Sequence, residues 1–142
     1  MILIGTGARL RVSPPIFNSL KNNFQMYLES IKAGAFYRKT DKKIMNDFIK
    51  EVEKTTTEVT YTDFSICDQF DVLSEVKSDK IKVPCLIICG NDDKLTPPKY
   101  SIFFHENIKG SDLTTIKDAG HMVMLEKPDE VNSAIKKFIE IF

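Results

Sequence analysis

Residues 83–142 alternate short apolar runs with amphipathic segments, and this alternation constrains the fold more than any other feature. Val83 to Cys89 is an almost unbroken apolar run, which suits a strand covered on both faces. Gly90-Asn91-Asp92-Asp93 reads as a turn. Thr96-Pro97 then caps a helix expected through Asn107. Asp112 to Ile116 is a second strand and Asp118-Ala119-Gly120-His121 a loop. Pro128 opens a terminal helix that buries Val131, Ala134, Ile135, Phe138 and Phe142 at helical spacing. Strand, helix, strand, helix with short loops implies parallel strands joined by right-handed crossovers.

The first half is mostly helical. Met1 to Ile4 is an apolar run closed by Gly5-Thr6-Gly7, as expected of a buried strand, and it has no basic leader of the kind that marks a signal peptide. Ser13-Pro14 is a helix start, and Ile16, Leu20, Phe24, Leu28 and Ile31 recur at helical spacing, which predicts one amphipathic helix from Pro14 to Ala33 with Gly34 as its stop. A second helix begins near Thr40 or Asp41 and buries Ile44, Phe48 and Val52. Thr55 to Thr62 is divided: its β-branched residues favour a strand, whereas Phe64, Cys67 and Asp71 favour a helix to about Asp68. Asp71 to Val76 is a short helical turn before the polar linker Lys77 to Lys80. The sequence contains no internal repeats or low-complexity segments.

At 142 residues the chain fits one domain. Its 20 basic residues balance 20 acidic ones, so no overall field favours nucleic acid or an anionic membrane. The pairs Lys42-Lys43 and Lys136-Lys137 read as solvated helix faces. The apolar runs are too short to span a bilayer. Cys67, Cys85 and Cys89 cannot all pair within the chain, and their spacing, even with His105 and His121, matches no zinc signature. Cys85 and Cys89 read as small core residues of a strand, with Cys89 only secondarily a reactive thiol. A reducing, cytoplasmic setting is expected.

In an open parallel sheet, functional side chains sit past the carboxyl ends of the strands. Asp93 and His121 both occupy such positions, on loops that adjacent strands would bring side by side. A carboxylate there can accept the imidazole Nδ1 proton and stabilise the cation. Asp93 could instead be a simple turn residue, and Asp92 is an alternative acid, although the spacing from Gly90 favours Asp93. His105 lies in a helix with no partner motif and reads as solvated. Met122 and Met124 read as core or pocket lining. Phe17, Phe24 and Tyr27 pack the helical region or line an apolar pocket.

The segment Val83 to Pro97, with its strand, Gly90-Asn91-Asp92-Asp93 and a following proline, resembles the seventh strand and acid loop of α/β-hydrolase-fold enzymes. Asp118-Ala119-Gly120-His121, followed by Glu126-Lys127-Pro128, resembles the histidine loop and the start of the last helix. The order acid then histidine is also the family's. Met1 to Leu10 resembles the sixth strand and its exit, and the helices from Pro14 to about Val76 resemble the inserted helical cap. The resemblance favours a helix over Thr57 to Asp68. It implies a partial α/β-hydrolase fold: a three-stranded parallel sheet with flanking helices and a helical cap. Residues 1–13 would form strand and turn, 14–76 the cap, and 83–142 the strand-helix-strand-helix unit.

By the same resemblance Asp93 and His121 are the acid and histidine of a Ser-His-Asp triad. The family's Gly-x-Ser-x-Gly nucleophile elbow does not occur in these residues, nor do Asp or Cys versions of it. The expected reading is the C-terminal part of a carboxylic ester hydrolase, with no metal or organic cofactor, inactive without a nucleophile and oxyanion hole from elsewhere. The alternatives are an inactive oligomerising module and one half of a split hydrolase. In either, the apolar strand at Met1 to Ile4 would pair with a second copy, most simply as a two-fold dimer, or with a separate N-terminal half.

Overall fold

The structure, a computed structural model, describes residues 1–141. Three parallel strands form one sheet: β1 (Ile2–Ile4), β2 (Leu86–Gly90) and β3 (Asp112–Ile116), in the order β1-β2-β3. Ile4 pairs with Ile88, and Ile88 with Thr114. Every residue of β2 is buried, which accounts for its unbroken apolar sequence. The strand begins at Leu86, later than the expected Val83. Val83 is half-exposed, and Pro84 has no N–H to offer the ladder.

Successive residues of β2 enter two different cores. Leu86 and Ile88 join Ile4, Ile116, Val123, Val131 and Phe138 on one face. Cys85 and Ile87 join Leu3, Val76, Phe104, Ile108 and Leu113 on the other. The first face is covered by α7 (Val123–Glu126) and α8 (Pro128–Ile139), the second by α5 (Leu73–Lys77) and α6 (Pro98–Asn107). The alternation of side chains along a strand thus yields a sheet between two helical layers. The expected burial of Phe142 lies outside the described residues.

Between β1 and β2 run four longer helices: α1 (Pro14–Asn22), α2 (Phe24–Gly34), α3 (Lys42–Val52) and α4 (Thr57–Gln69). They carry a core of their own, in which Leu20, Tyr27 and Leu28 are buried against Phe24, Ile49, Tyr61 and Phe64. Burial pushes the Tyr27 phenol up to about 12. Phe17 meets Tyr61 edge-on and Phe24 stacks on Tyr27, so the aromatic residues pack this insertion. The ends of the insertion are clasped together. Val72 N–H donates to the Ala8 carbonyl, Leu10 N–H to Phe70, and Arg9 Nε contacts Asp71 Oδ2 at 2.6 Å.

Two sequence expectations need correction here. The single helix over 14–33 is two helices, because Asn23 is extended (φ −159°, ψ 87°). Its N–H closes α1 on the Ser19 carbonyl while its side chain accepts from Met26 N–H and starts α2. Helix α3 leaves Ile44, Phe48 and Val52 only partly buried. The divided segment after Thr55 is helical. Thr56 caps α4 through Val59 N–H, and the hydroxyls of Thr60 and Thr62 bond carbonyls four residues back. Tyr61 and Phe64 then pack on the insertion core, which outweighs the local preference for strand.

Candidate active site

Strand β2 ends at Gly90 and β3 at Ile116, and the loops that follow are joined by backbone hydrogen bonds. Asn91 N–H donates to the Ile116 carbonyl and Asp92 N–H to that of Ala119. This union places Asp93 beside His121. Asp93 Oδ2 lies 3.0 Å from His121 Nδ1, with the Asp93 side chain fully buried and the imidazole 26% exposed. The neighbouring Asp92 is exposed, and Asp93 is the carboxylate that meets His121.

The carboxylate is held on both oxygens. Oδ1 accepts the N–H groups of Leu95 and Thr96, each at 2.8 Å, and Oδ2 accepts the Thr96 hydroxyl at 2.9 Å as well as His121. Burial raises the Asp93 pKa, but the hydrogen bond and charge of His121, with the amide and hydroxyl of Thr96, outweigh it and hold the group below the ordinary carboxylate value. A carboxylate accepts and cannot donate, so Nδ1 carries the imidazole proton and Nε2 is left as the acceptor. Among the described residues no partner occupies Nε2. The pair is a histidine oriented by a buried anion, with its basic nitrogen free to take a proton.

A depressed pKa carries a stability consequence. The Asp93 contribution is complete above the ordinary carboxylate range and is lost as pH falls through the folded value. Urea midpoints between pH 7 and pH 3 are expected to fall more steeply for the wild type than for Asp93→Asn. Parallel curves would show that Asp93 gains nothing from its partners.

The histidine loop is also tied to the helical insertion. Glu126 accepts Gly120 N–H at 2.7 Å through one oxygen, and through the other it accepts Tyr37 N–H and the Thr40 hydroxyl. Met122 N–H donates to the Ala35 carbonyl. The residues on either side of His121 are therefore anchored to the α2–α3 connection. A cleft of about 390 Å³ lies along this junction, lined by residues that include Tyr37, Thr40, Asp118 and Glu126.

Other sequence candidates fall elsewhere. His105 is exposed with Nδ1 3.1 Å from Ser111 Oγ, Met122 is half-buried and Met124 exposed. Cys89 is fully buried and burial pushes its thiol up, against a reactive role. Thr96 is not the expected helix cap: Pro97 holds that position, without a side-chain cap bond, and the Thr96 hydroxyl turns to the pair. Sequence reasoning missed Thr96 and Glu126 as site residues. The bond from Leu95 N–H to Asp93 is the ordinary aspartate turn contact two residues on, but it does not mark the Thr96 hydroxyl. The contacts of Glu126 with residues some 86–89 positions away left no local signal.

Residues 15–128 match the alpha/beta hydrolase fold family, four-fifths of the chain. The chain belongs to the α/β-hydrolase fold family. A thermophilic esterase of known structure superimposes with a TM-score of 0.88 at 40% identity, over 98% of this chain and 55% of that one. A pimeloyl-[acyl-carrier protein] methyl ester esterase from Neisseria meningitidis is 34% identical over 62 residues, which is 44% of this chain and 24% of the relative. A proline iminopeptidase from Lactobacillus acidophilus is 38% identical over 61 residues, 43% of this chain and 20% of the relative. This α/β-hydrolase chain spans about half the length of the esterase it superimposes on, and its sequence matches to the curated relatives cover a quarter of them or less.

Proposed function

We propose that Asp93 and His121 are the acid and the general base of a serine hydrolase acting on carboxylic esters. The nucleophile and the oxyanion-hole amides would come from polypeptide beyond these 142 residues. The observation that carries this reading is the 3.0 Å contact between a buried aspartate and a histidine whose Nε2 is open, at the carboxyl ends of adjacent parallel strands. A serine hydroxyl would pass its proton to Nε2 as its oxygen bonds to the acyl carbon. The imidazolium, stabilised by Asp93, would return that proton to the departing alkoxide. Water would repeat the cycle to release the acid and regenerate the serine. The reaction so written needs no metal or organic cofactor. Helices α1–α4 would serve as the cap over the acyl pocket.

The test is complementation. The chain is mixed with the polypeptide proposed to carry the nucleophile, and hydrolysis of short acyl esters is followed. Cleavage is expected only with both parts and is lost with His121→Ala. Cleavage that survives this substitution would overturn the assignment.

The open edge of β1 favours a second reading of how the sheet is completed. Met1 and Ile2 are 43% and 37% exposed on a strand paired on one side only. An apolar edge of this kind is a template for a further strand. In the absence of a complementing half, the chain is expected to form a two-fold dimer through β1. Light scattering at micromolar concentration checks this, and a monomer would contradict it. Cys85 and Cys89 lie four residues apart along an extended run, about 13 Å, too far for a disulfide.

A further inference from the structure

Thr96 precedes Pro97, the N-cap of α6, and that helix has no side-chain cap bond. Thr96 is buried, and its Oγ1 lies 2.9 Å from Asp93 Oδ2 and 3.1 Å from His121 Nδ1. The hydroxyl has one hydrogen, and the acceptor-only carboxylate takes it. The oxygen keeps lone pairs that face the Nδ1–H, which is thus shared between Oδ2 and Oγ1. Together with its amide on Oδ1, Thr96 supplies two of the four donors around the carboxylate, one to each oxygen. Two donors from one residue on opposite oxygens fix the plane of the carboxylate, and the Oγ1 lone pair gives the imidazole a second point of registration.

We infer that Thr96 is a positioning residue of this acid–base pair, whose hydroxyl locks the Asp93 carboxylate and the His121 ring so that Nε2 is held out as the proton acceptor. The inference rests on the reading of Asp93 and His121 as acid and base, and it assigns the hydroxyl to that pair rather than to the helix. Threonine and valine have nearly the same shape, so Thr96→Val keeps the packing and the amide and removes only the oxygen. A methyl group then faces Oδ2 and Nδ1, which leaves part of their hydrogen-bonding capacity unmet.

The experiment is proton–nitrogen NMR of the native protein that carries this chain, labelled in histidine, with His105 as the internal control. In the wild type the Nδ1–H of His121 is expected as a slowly exchanging resonance, cross-relaxing with a hydroxyl proton of Thr96. Thr96→Val should accelerate exchange of that Nδ1–H with water about tenfold or more, as for the loss of one hydrogen bond to a charged acceptor. Thr96→Ser should restore slow exchange, and His105 should not respond to either change. Because the hydroxyl–imidazole cross-peak is read on the wild type, the test does not depend on a variant folding. Absence of that cross-peak while the Nδ1–H is visible, or an unchanged exchange rate in folded Thr96→Val, would overturn the role of Thr96 and leave the acid–base reading intact. A wild-type His121 that carries its proton on Nε2 would overturn both.

Discussion

His121→Ala, made in the complete polypeptide that carries the nucleophile, is expected to lower kcat for ester cleavage about a millionfold. The size follows from what Nε2 does. In the proposed mechanism it would remove the proton as the serine attacks and return it to the leaving group, and a serine and histidine that act as one unit cost nearly as much singly as together when lost. The KM should change little, because imidazole contacts the reacting atoms and not the body of the substrate. Asp93→Asn should cost about ten thousandfold. An amide at this place turns a donor toward Nδ1 and moves the imidazole proton to Nε2, where it blocks the base. Steady-state kinetics of the two variants check the ordering. Activity within tenfold of wild type in His121→Ala would remove this histidine from the mechanism.

Gly90→Ala is expected to destabilise the folded chain by about 3 kcal/mol or more, the upper end for overpacking. A Cβ at Gly90 would stand 2.3 Å from the carbonyl oxygens of both Ala119 and Gly120. Both contacts are backbone, so no rotamer can relieve them, and the loop that carries His121 would have to lift from the end of β2. The hydrogen bonds from Asn91 and Asp92 to that loop would loosen together. Gly110→Ala is the matched control. It has φ +73° but nothing within 4 Å of the added carbon, so its cost is the conformational one of about 1 kcal/mol. Urea unfolding of both variants measures the difference. Equal midpoints would mean that the loop yields freely at Gly90.

The second half of the fold was legible because each of its elements carries local and tertiary signals that agree. Strand β3 lies where its residues place it, and β2 is shorter than its apolar run only because Pro84 interrupts the ladder. Helix α4 required more than propensity, since its threonines favour a strand until Thr56 caps them and Tyr61 finds Leu20 and Tyr27. The break at Asn23 escaped because the apolar spacing runs through it: the period reports which face is buried, not whether the backbone is continuous. The contact of Asp93 with His121 could be expected from strand adjacency alone. The tie of Glu126 to Tyr37 and Thr40 could not, since it depends on how the insertion docks over the histidine loop.

The proposed acid–base pair would serve a serine lying outside these 142 residues. The most direct test is fluorophosphonate labelling of the native protein purified from the cells that make it, with the modified peptide identified by mass spectrometry. The expected result is one labelled serine in a polypeptide continuous with this chain, or co-purifying with it, and no label on the 142-residue chain alone. Label on a serine within these residues, or none on the native protein, would rule out an external nucleophile.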